Sequence, residues 1–369
     1  MCEIVMVGAF PPPMHGMAAV NAAVRDALRA AQVEPLVINI AAPILDRSLN
    51  ARLGRLPRIW KGLLTLATRR RLRGARLYMS ASGGFGQLYE VVFAWLARLR
   101  GMRIFLHHHS FAYLDRPNVL TRTLMHATGA KAVHIALSPR MAARLKGGYG
   151  IGEVTPISNA VFFAAGNAAG TSRKAFKTLG FLSNVAPEKG VFEFLDLMAA
   201  ANRAGLPVRG RLAGPFQNAD IERAVRSRLQ ELSHVEYVGP QYGTAKNAFF
   251  DSIDALAFPT RYVNEAEPVT AHEVMSRAIP VIAYGRGCIP EIIGSDCGLV
   301  IDPAMPFVPA ALAQLERWVA DPATFQSASK AAAARFARAY AENLRRWRVL
   351  LAEIVGSDGT LPGTEDATS

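Results

Sequence analysis

Short apolar runs that suit strands alternate with helical stretches almost from the first residue, and the alternation happens twice. Ile4 to Gly8, Leu36 to Ile40, Leu77 to Ser80, Ile104 to His107 and Val133 to Leu137 are the first set of predicted strands. Helices are predicted between them at Met17 to Ala30, Arg58 to Leu72, Gly86 to Leu99 and Val119 to Thr128. Strands separated by helices pair in parallel and are wound on both faces, so the expected fold class is α/β. Around Asn159 to Arg173 the pattern lapses into Ala, Gly, Asn, Thr and Ser, a linker composition. It restarts with strands Thr178 to Leu182, Val208 to Leu212 and Val235 to Val238, and helices Gly190 to Ala204, Asp220 to Leu232 and Gly243 to Asp251.

A chain of 369 residues has room for two such domains, each with its own core. The expected division is a first domain over 1–160, a linker over 161–175 and a second domain over 176–325. Closing helices over 326–356, anchored by Phe336, Tyr340 and Trp347, and a polar disordered tail over 357–369 complete it. Two doubly wound domains are expected to face each other across a cleft, which is then the default ligand site.

Apolar residues make up 51% of the chain, which is a globular composition. Cys2, Cys288 and Cys297 are odd in number and lack the close spacing of a zinc or redox motif, so they read as reduced thiols of a cytoplasmic protein. The first ten residues have no basic n-region and run into Pro11, which makes them a first strand rather than a signal peptide. No apolar run approaches the length of a membrane span; Val91 to Ala97 is cut by Arg98.

The net charge of +13 is concentrated. Between Arg47 and Arg76 stand ten basic residues and no acidic one, interleaved with Leu53, Leu56, Ile59, Trp60 and Leu63. Such a helix either packs its apolar side on its own domain or lies on an anionic membrane surface, where each basic residue contributes roughly 1 kcal/mol. The membrane surface is the adopted expectation, with peripheral placement on the inner face of the cell membrane. Nucleic acid is not an expected partner, because no helix-turn-helix, zinc spacing or aromatic-basic motif is present.

The most specific stretch is 258–284. Asp254 to Phe258 reads as a buried strand, Pro259 ends it, and Pro268 opens a helix where a missing N–H costs nothing. Glu265 then lies beyond the strand's carboxyl end and Glu273 rides the helix. Ligands of open α/β sheets bind outside those strand ends. Ionised carboxylates only accept hydrogen bonds, which suits the vicinal hydroxyls of a sugar or ribose.

Glu265 and Glu273, with Phe258-Pro259-Thr260 before and Pro280-Val281-Ile282-Ala283 after, resemble the signature of retaining glycosyltransferases of family 4, which have the GT-B fold. Five further segments match in order: Pro11 to Gly16, Ser158-Asn159-Ala160, Pro187 to Gly190, Ile289 to Ile292 and Gly298 to Pro303. The resemblance implies transfer of a sugar from a nucleoside-diphosphate donor to a lipid-linked or polysaccharide acceptor. It implies no cofactor and no metal: Lys189 and helix N-termini neutralise the diphosphate. Glu273 is implied to accept the ribose hydroxyls, and Glu265 to face the donor sugar with the backbone of Ala266, Glu267 and Val269. Gly16 is implied to let the backbone approach the diphosphate, and His109 to lie near the reacting sugar.

Two departures stand out. Where the family commonly has an Arg, five residues before Lys189, this chain has Asn184, so Arg261 is the expected substitute charge. Ala278 stands where a Gly is usual after the helix. His107, His108 and His109 are adjacent, and neighbours on a strand point to opposite faces, so a shared metal ion is not expected. The competing readings are a nucleotide-sugar epimerase of the same architecture and a module that binds nucleotide or lipid without transfer. A dehydrogenase lacks its glycine fingerprint here.

Overall fold

The structure, a computed structural model, describes residues 3–41, 54–163 and 173–356. Arg47, Arg52, Cys2, most of the expected linker and the tail 357–369 lie outside the described residues. The chain divides into two compact units, Met1–Phe162 with Ala341–Ser369, and Phe163–Tyr340.

The first unit holds β1 (Ile4–Gly8), α1 (Gly16–Ala30), β2 (Leu36–Asn39), α2 (Leu56–Thr68), β3 (Arg76–Ala81), α3 (Gln87–Leu99), β4 (Arg103–His108), α4 (Ala112–Asp115), α5 (Val119–Thr128), β5 (Val133–Ala136), α6 (Pro139–Tyr149) and β6 (Val154–Pro156). Its sheet has the order β2-β1-β3-β4-β5-β6 and every pairing is parallel. All residues of β1 and β5 are buried, as expected of strands covered by helices on both faces. Val5, Val7, Leu77, Met79, Ile104 and Leu106 form the sheet's side of one core, against Phe93 and Leu124 from the helices.

The second unit holds β7 (Thr178–Leu182), α7 (Val191–Arg203), β8 (Arg209–Ala213), α8 (Ala219–Gln230), β9 (Val235–Tyr237), α9 (Gly243–Asp251), β10 (Ala255–Phe258), α10 (Val269–Met275), β11 (Val281–Tyr284), α11 (Ile289–Ile293), β12 (Gly298–Ile301) and α12 (Phe307–Ala320). Its parallel sheet runs β12-β11-β10-β7-β8-β9. β7 and β10 are neighbours, yet the chain leaves them toward opposite edges of the sheet. Loops that diverge in this way open a crevice at the strands' carboxyl ends, the topological switch point. A long closing helix, α13 (Pro322–Val355), begins in the second unit and ends in the first.

The α6 and β6 pair was not foreseen in the sequence, and Pro268 caps α10 rather than occupying its first turn. Ala278 adopts a left-handed conformation, φ 58°, which costs roughly 1 kcal/mol relative to Gly. Its carbonyl accepts a 2.6 Å hydrogen bond from the Ser329 hydroxyl, so α13 holds the turn in place.

Candidate active site

Lys189 follows β7 and Glu265 follows β10, and the switch point brings them together. The ammonium Nζ lies 2.6 Å from Glu265 Oε2, with the side chains only 17% and 12% exposed. Thr260 donates to the same oxygen at 3.2 Å. The Tyr262 ring lies 4.3 Å from Nζ, so the cation also faces a π surface.

The loop carrying Glu265 is held on several sides. Arg261 N–H donates to Glu188 O, and Glu265 N–H donates to Tyr262 O. Arg286 donates to the carbonyls of Tyr262 and Val263, and Cys288 N–H to Ala266 O. Gly287 sits so close that a Cβ there would lie 2.4 Å from Ala266 O. The Glu267 side chain turns inward, 3.1 Å from His272 Nε2. This loop therefore presents its backbone in a fixed path before Val269 opens α10.

α7 starts with equal constraint. Gly190 has φ 87°, and a Cβ there would lie 2.3 Å from Pro259 O. Only glycine lets the turn Pro187–Lys189 sit against the end of β10, and Lys189 takes its position from that contact.

Glu273, on α10, is paired with a residue the sequence did not single out. Lys246 Nζ, from α9, lies 2.6 Å from one carboxylate oxygen and 2.5 Å from the other. The pair spans 27 residues, and Lys246 stands in a short helix whose local pattern carries no motif. Arg261 stacks on the Tyr284 ring at 4.4 Å, donates to its hydroxyl, and lies 3.6 Å from Glu193. Its guanidinium is thus directed at Tyr284 and Glu193. Asn184 is half-buried in the loop after β7, next to Val185, which forms a parallel bridge to Phe216.

In the first unit, His15 caps α1 by accepting from Ala18 N–H at 3.4 Å, and Gly16 is the helix's first residue. A Cβ at Gly16 would meet nothing within 4 Å. Asn21 donates to Ala9 O and accepts from Ser80, which fixes the end of β1 beside β3.

The histidines alternate as a strand requires. His107 and His109 have ring centroids 4.1 Å apart, and His107 meets the Tyr78 hydroxyl at 2.6 Å. His108 lies between the Tyr113 hydroxyl at 2.9 Å and His134 at 3.1 Å. The Nε2 atoms of His107 and His109 are shielded and have no hydrogen-bond partner among the described residues. Burial and the neighbouring His15 lower the His109 pKa to about 3; burial and Arg55 lower that of His15 to about 4. Both rings are neutral at physiological pH.

Another buried carboxylate went unnoticed in the sequence. Glu90, on α3, accepts from the Ser82 backbone and hydroxyl, and burial raises its pKa to about 7 against those hydrogen bonds. It pins the loop after β3. Among the described residues, no group of three or more His, Cys, Asp or Glu is placed to hold a metal ion.

Two parallel doubly wound sheets, one with a basic and acidic pair at its switch point, define a GT-B architecture. Residues 167–335 match the family model described as glycosyl transferases group 1. Solved structures with the same fold include a sucrose-phosphate synthase from Thermosynechococcus elongatus, 17% identical over 97% of this chain and 100% of that one, with a TM-score of 0.73. HepE of Anabaena in complex with UDP-glucose is 16% identical over 97% of this chain and 100% of that one, TM-score 0.68. A glycosyltransferase from Rickettsia africae is 13% identical over 97% and 99%, TM-score 0.68. A sequence search of curated proteins finds no significant match.

Proposed function

We propose that the protein moves a sugar from a nucleoside-diphosphate donor to a membrane-lipid-linked or polysaccharide acceptor, with retention of configuration, without a divalent ion, at the cytoplasmic face of the membrane. The observation that carries this reading is the Lys189–Glu265 pair at the switch point of the second sheet. Lys189 stands at the entrance to α7, where orphan N–H groups and the helix dipole also favour an anion. A departing diphosphate gains charge in the transition state, and a cation already held in place stabilises it without reorganising. Glu265 can exchange its ammonium partner for a sugar hydroxyl, and Glu273 can accept the ribose hydroxyls while Lys246 fixes its orientation. From the first unit, Gly16 and His109 are proposed to take part, His109 as a neutral imidazole able to hydrogen-bond a hydroxyl.

Purified protein is to be screened against uridine, guanosine and adenosine diphosphates by thermal shift, and against the matching nucleotide sugars for diphosphate release. UDP leads the panel because HepE was solved with it. Binding to the native state raises the melting temperature by mass action. Lys189→Ala is expected to lower release by about 10²–10³-fold, the cost of one preorganised electrostatic group. Release that is unchanged in Lys189→Ala sinks the reading. Binding without release from any donor supports the non-transferring module, which the missing charge at Asn184 favours.

A further inference from the structure

Two helices of the first unit each turn an apolar stripe outward. On α2 these are Leu56, Trp60 and Leu64, four apart; on α3 they are Leu88, Val92, Trp95 and Leu99, at spacings of four, three and four. Trp60 is 71% exposed, Trp95 55% and Leu99 71%. Side chains at these spacings normally face a core. Here the opposite faces do that, through Ile59, Gly62 and Leu66 on α2 and Phe93, Ala94 and Ala97 on α3. Both helices are therefore apolar on two sides.

The outward stripes meet along a groove of about 380 Å³ lined by Trp60, Leu63, Leu64, Trp95, Leu96 and Leu99 among others. Its walls are fixed. Gly62 lets α2 approach the sheet, since a Cβ there would lie 2.4 Å from Ile38. Arg100 donates to the carbonyls of Ala67 and Arg69, tying the end of α3 to the end of α2.

The charge around the groove has one sign. Residues 54–100 contain ten basic side chains and one acidic, Glu90, which is buried and bonded to Ser82. Arg69, Arg70, Arg71 and Arg73 stand exposed just beyond α2. A second copy of the same face would bring two cationic rims together, which electrostatics opposes. An exposed apolar patch with tryptophans, ringed by arginines and free of exposed carboxylates, has the chemistry of the bilayer interface instead.

We propose that this α2 and α3 groove docks the protein on an anionic lipid bilayer, with Trp60 and Trp95 entering the interfacial layer and the arginines after α2 meeting lipid phosphates. It deepens the membrane clause of the proposed function and rests on it for the acceptor's location, though not on the sugar-transfer chemistry. It also shifts the contact from the basic stretch alone to a two-helix surface.

The other two tryptophans, Trp318 and Trp347, are buried, so any vesicle-induced change in emission reports on Trp60 and Trp95. The full chain is mixed with vesicles of phosphatidylcholine alone or with phosphatidylglycerol, followed by flotation and fluorescence. Binding and a blue shift are expected with the anionic vesicles. Trp60→Ser with Trp95→Ser should weaken binding about tenfold or more. Arg69→Glu, Arg70→Glu and Arg71→Glu together should weaken it by about a hundredfold or more, at roughly 1 kcal/mol per lost charge. Failure of the anionic vesicles to bind, or binding indifferent to both sets of variants, overturns the proposal. So does a concentration-dependent dimer, seen by sedimentation velocity, that the tryptophan variant dissolves. Nucleoside-diphosphate thermal shift in the same variants reads the second unit separately, so failure to bind lipid and failure to bind donor are told apart.

Discussion

At the residue scale, the two carboxylates of the candidate site are each matched by a lysine from a distant part of the chain. Lys189 neutralises Glu265 and Lys246 neutralises Glu273. The two lysines should nonetheless respond differently to mutation. Lys189 is the residue proposed to meet the diphosphate, so its loss is expected in turnover. Lys246 holds Glu273, the carboxylate proposed to accept the ribose hydroxyls, so Lys246→Ala is expected to weaken nucleotide binding and to leave Glu273 without its cation. Stability should fall by about 1 kcal/mol, the low end of the cost of an unmatched acceptor, because the Glu273 side chain keeps 20% of its surface exposed. Isothermal titration with the preferred nucleoside diphosphate and a denaturant titration check the two effects. Unchanged affinity together with unchanged stability would show the pair to be a surface contact only.

At the scale of elements, two glycines at helix starts make opposite demands. Gly190 has a positive φ and backs onto Pro259, whereas Gly16 has open space where a side chain would go. Gly190→Ala is therefore expected to destabilise the second unit, by more than the roughly 1 kcal/mol of left-handed strain alone, because the added carbon also meets backbone. Gly16→Ala should keep the melting temperature of the native chain. If Gly16 lets the diphosphate approach, this variant loses turnover all the same. Thermal denaturation and a release assay on both proteins separate the roles.

The strands and most helices were legible because buried parallel strands are short apolar runs cut by turn residues. Val119–Thr128 and Gly243–Asp251 begin and end where the pattern placed them. The α6 and β6 pair was harder, since β6 is only three residues long and α6 carries two glycines near its end. Glu265, Glu273 and Lys189 could be singled out from a motif. Lys246, Glu90 and the outward face of α3 could not, because their partners are set by tertiary packing rather than by neighbours in the chain.

At the scale of the whole molecule, five histidines of the first unit carry lowered pKa values, all chiefly through burial: His15, His107, His108, His109 and His134. Unfolded histidines take up protons as the pH falls through about 6.5, while these folded ones do not. The unfolded state then binds more protons, so stability drops as the pH falls, by up to about 1.4 kcal/mol per histidine per pH unit. Glu90 acts the other way. Its raised pKa makes the native state bind the extra proton between its unfolded value and about 7, which offsets one histidine in that window. The net expectation is a melting temperature that falls from pH 7 to pH 5. A flat or rising profile contradicts the buried, neutral state of the cluster.

The path of α13 has a consequence for the order of events during synthesis. Its last turns supply Trp347 against Phe162, Asn343 to the backbone of Ser158, and Glu353 and Val355 to Arg103 and Arg76. The second unit is one continuous stretch of chain, but the first is finished only by residues that follow it. On the ribosome, where domains usually form in the order they emerge, this N-terminal half stays incomplete while its successor folds. It closes only once residues 341–356 have emerged as well.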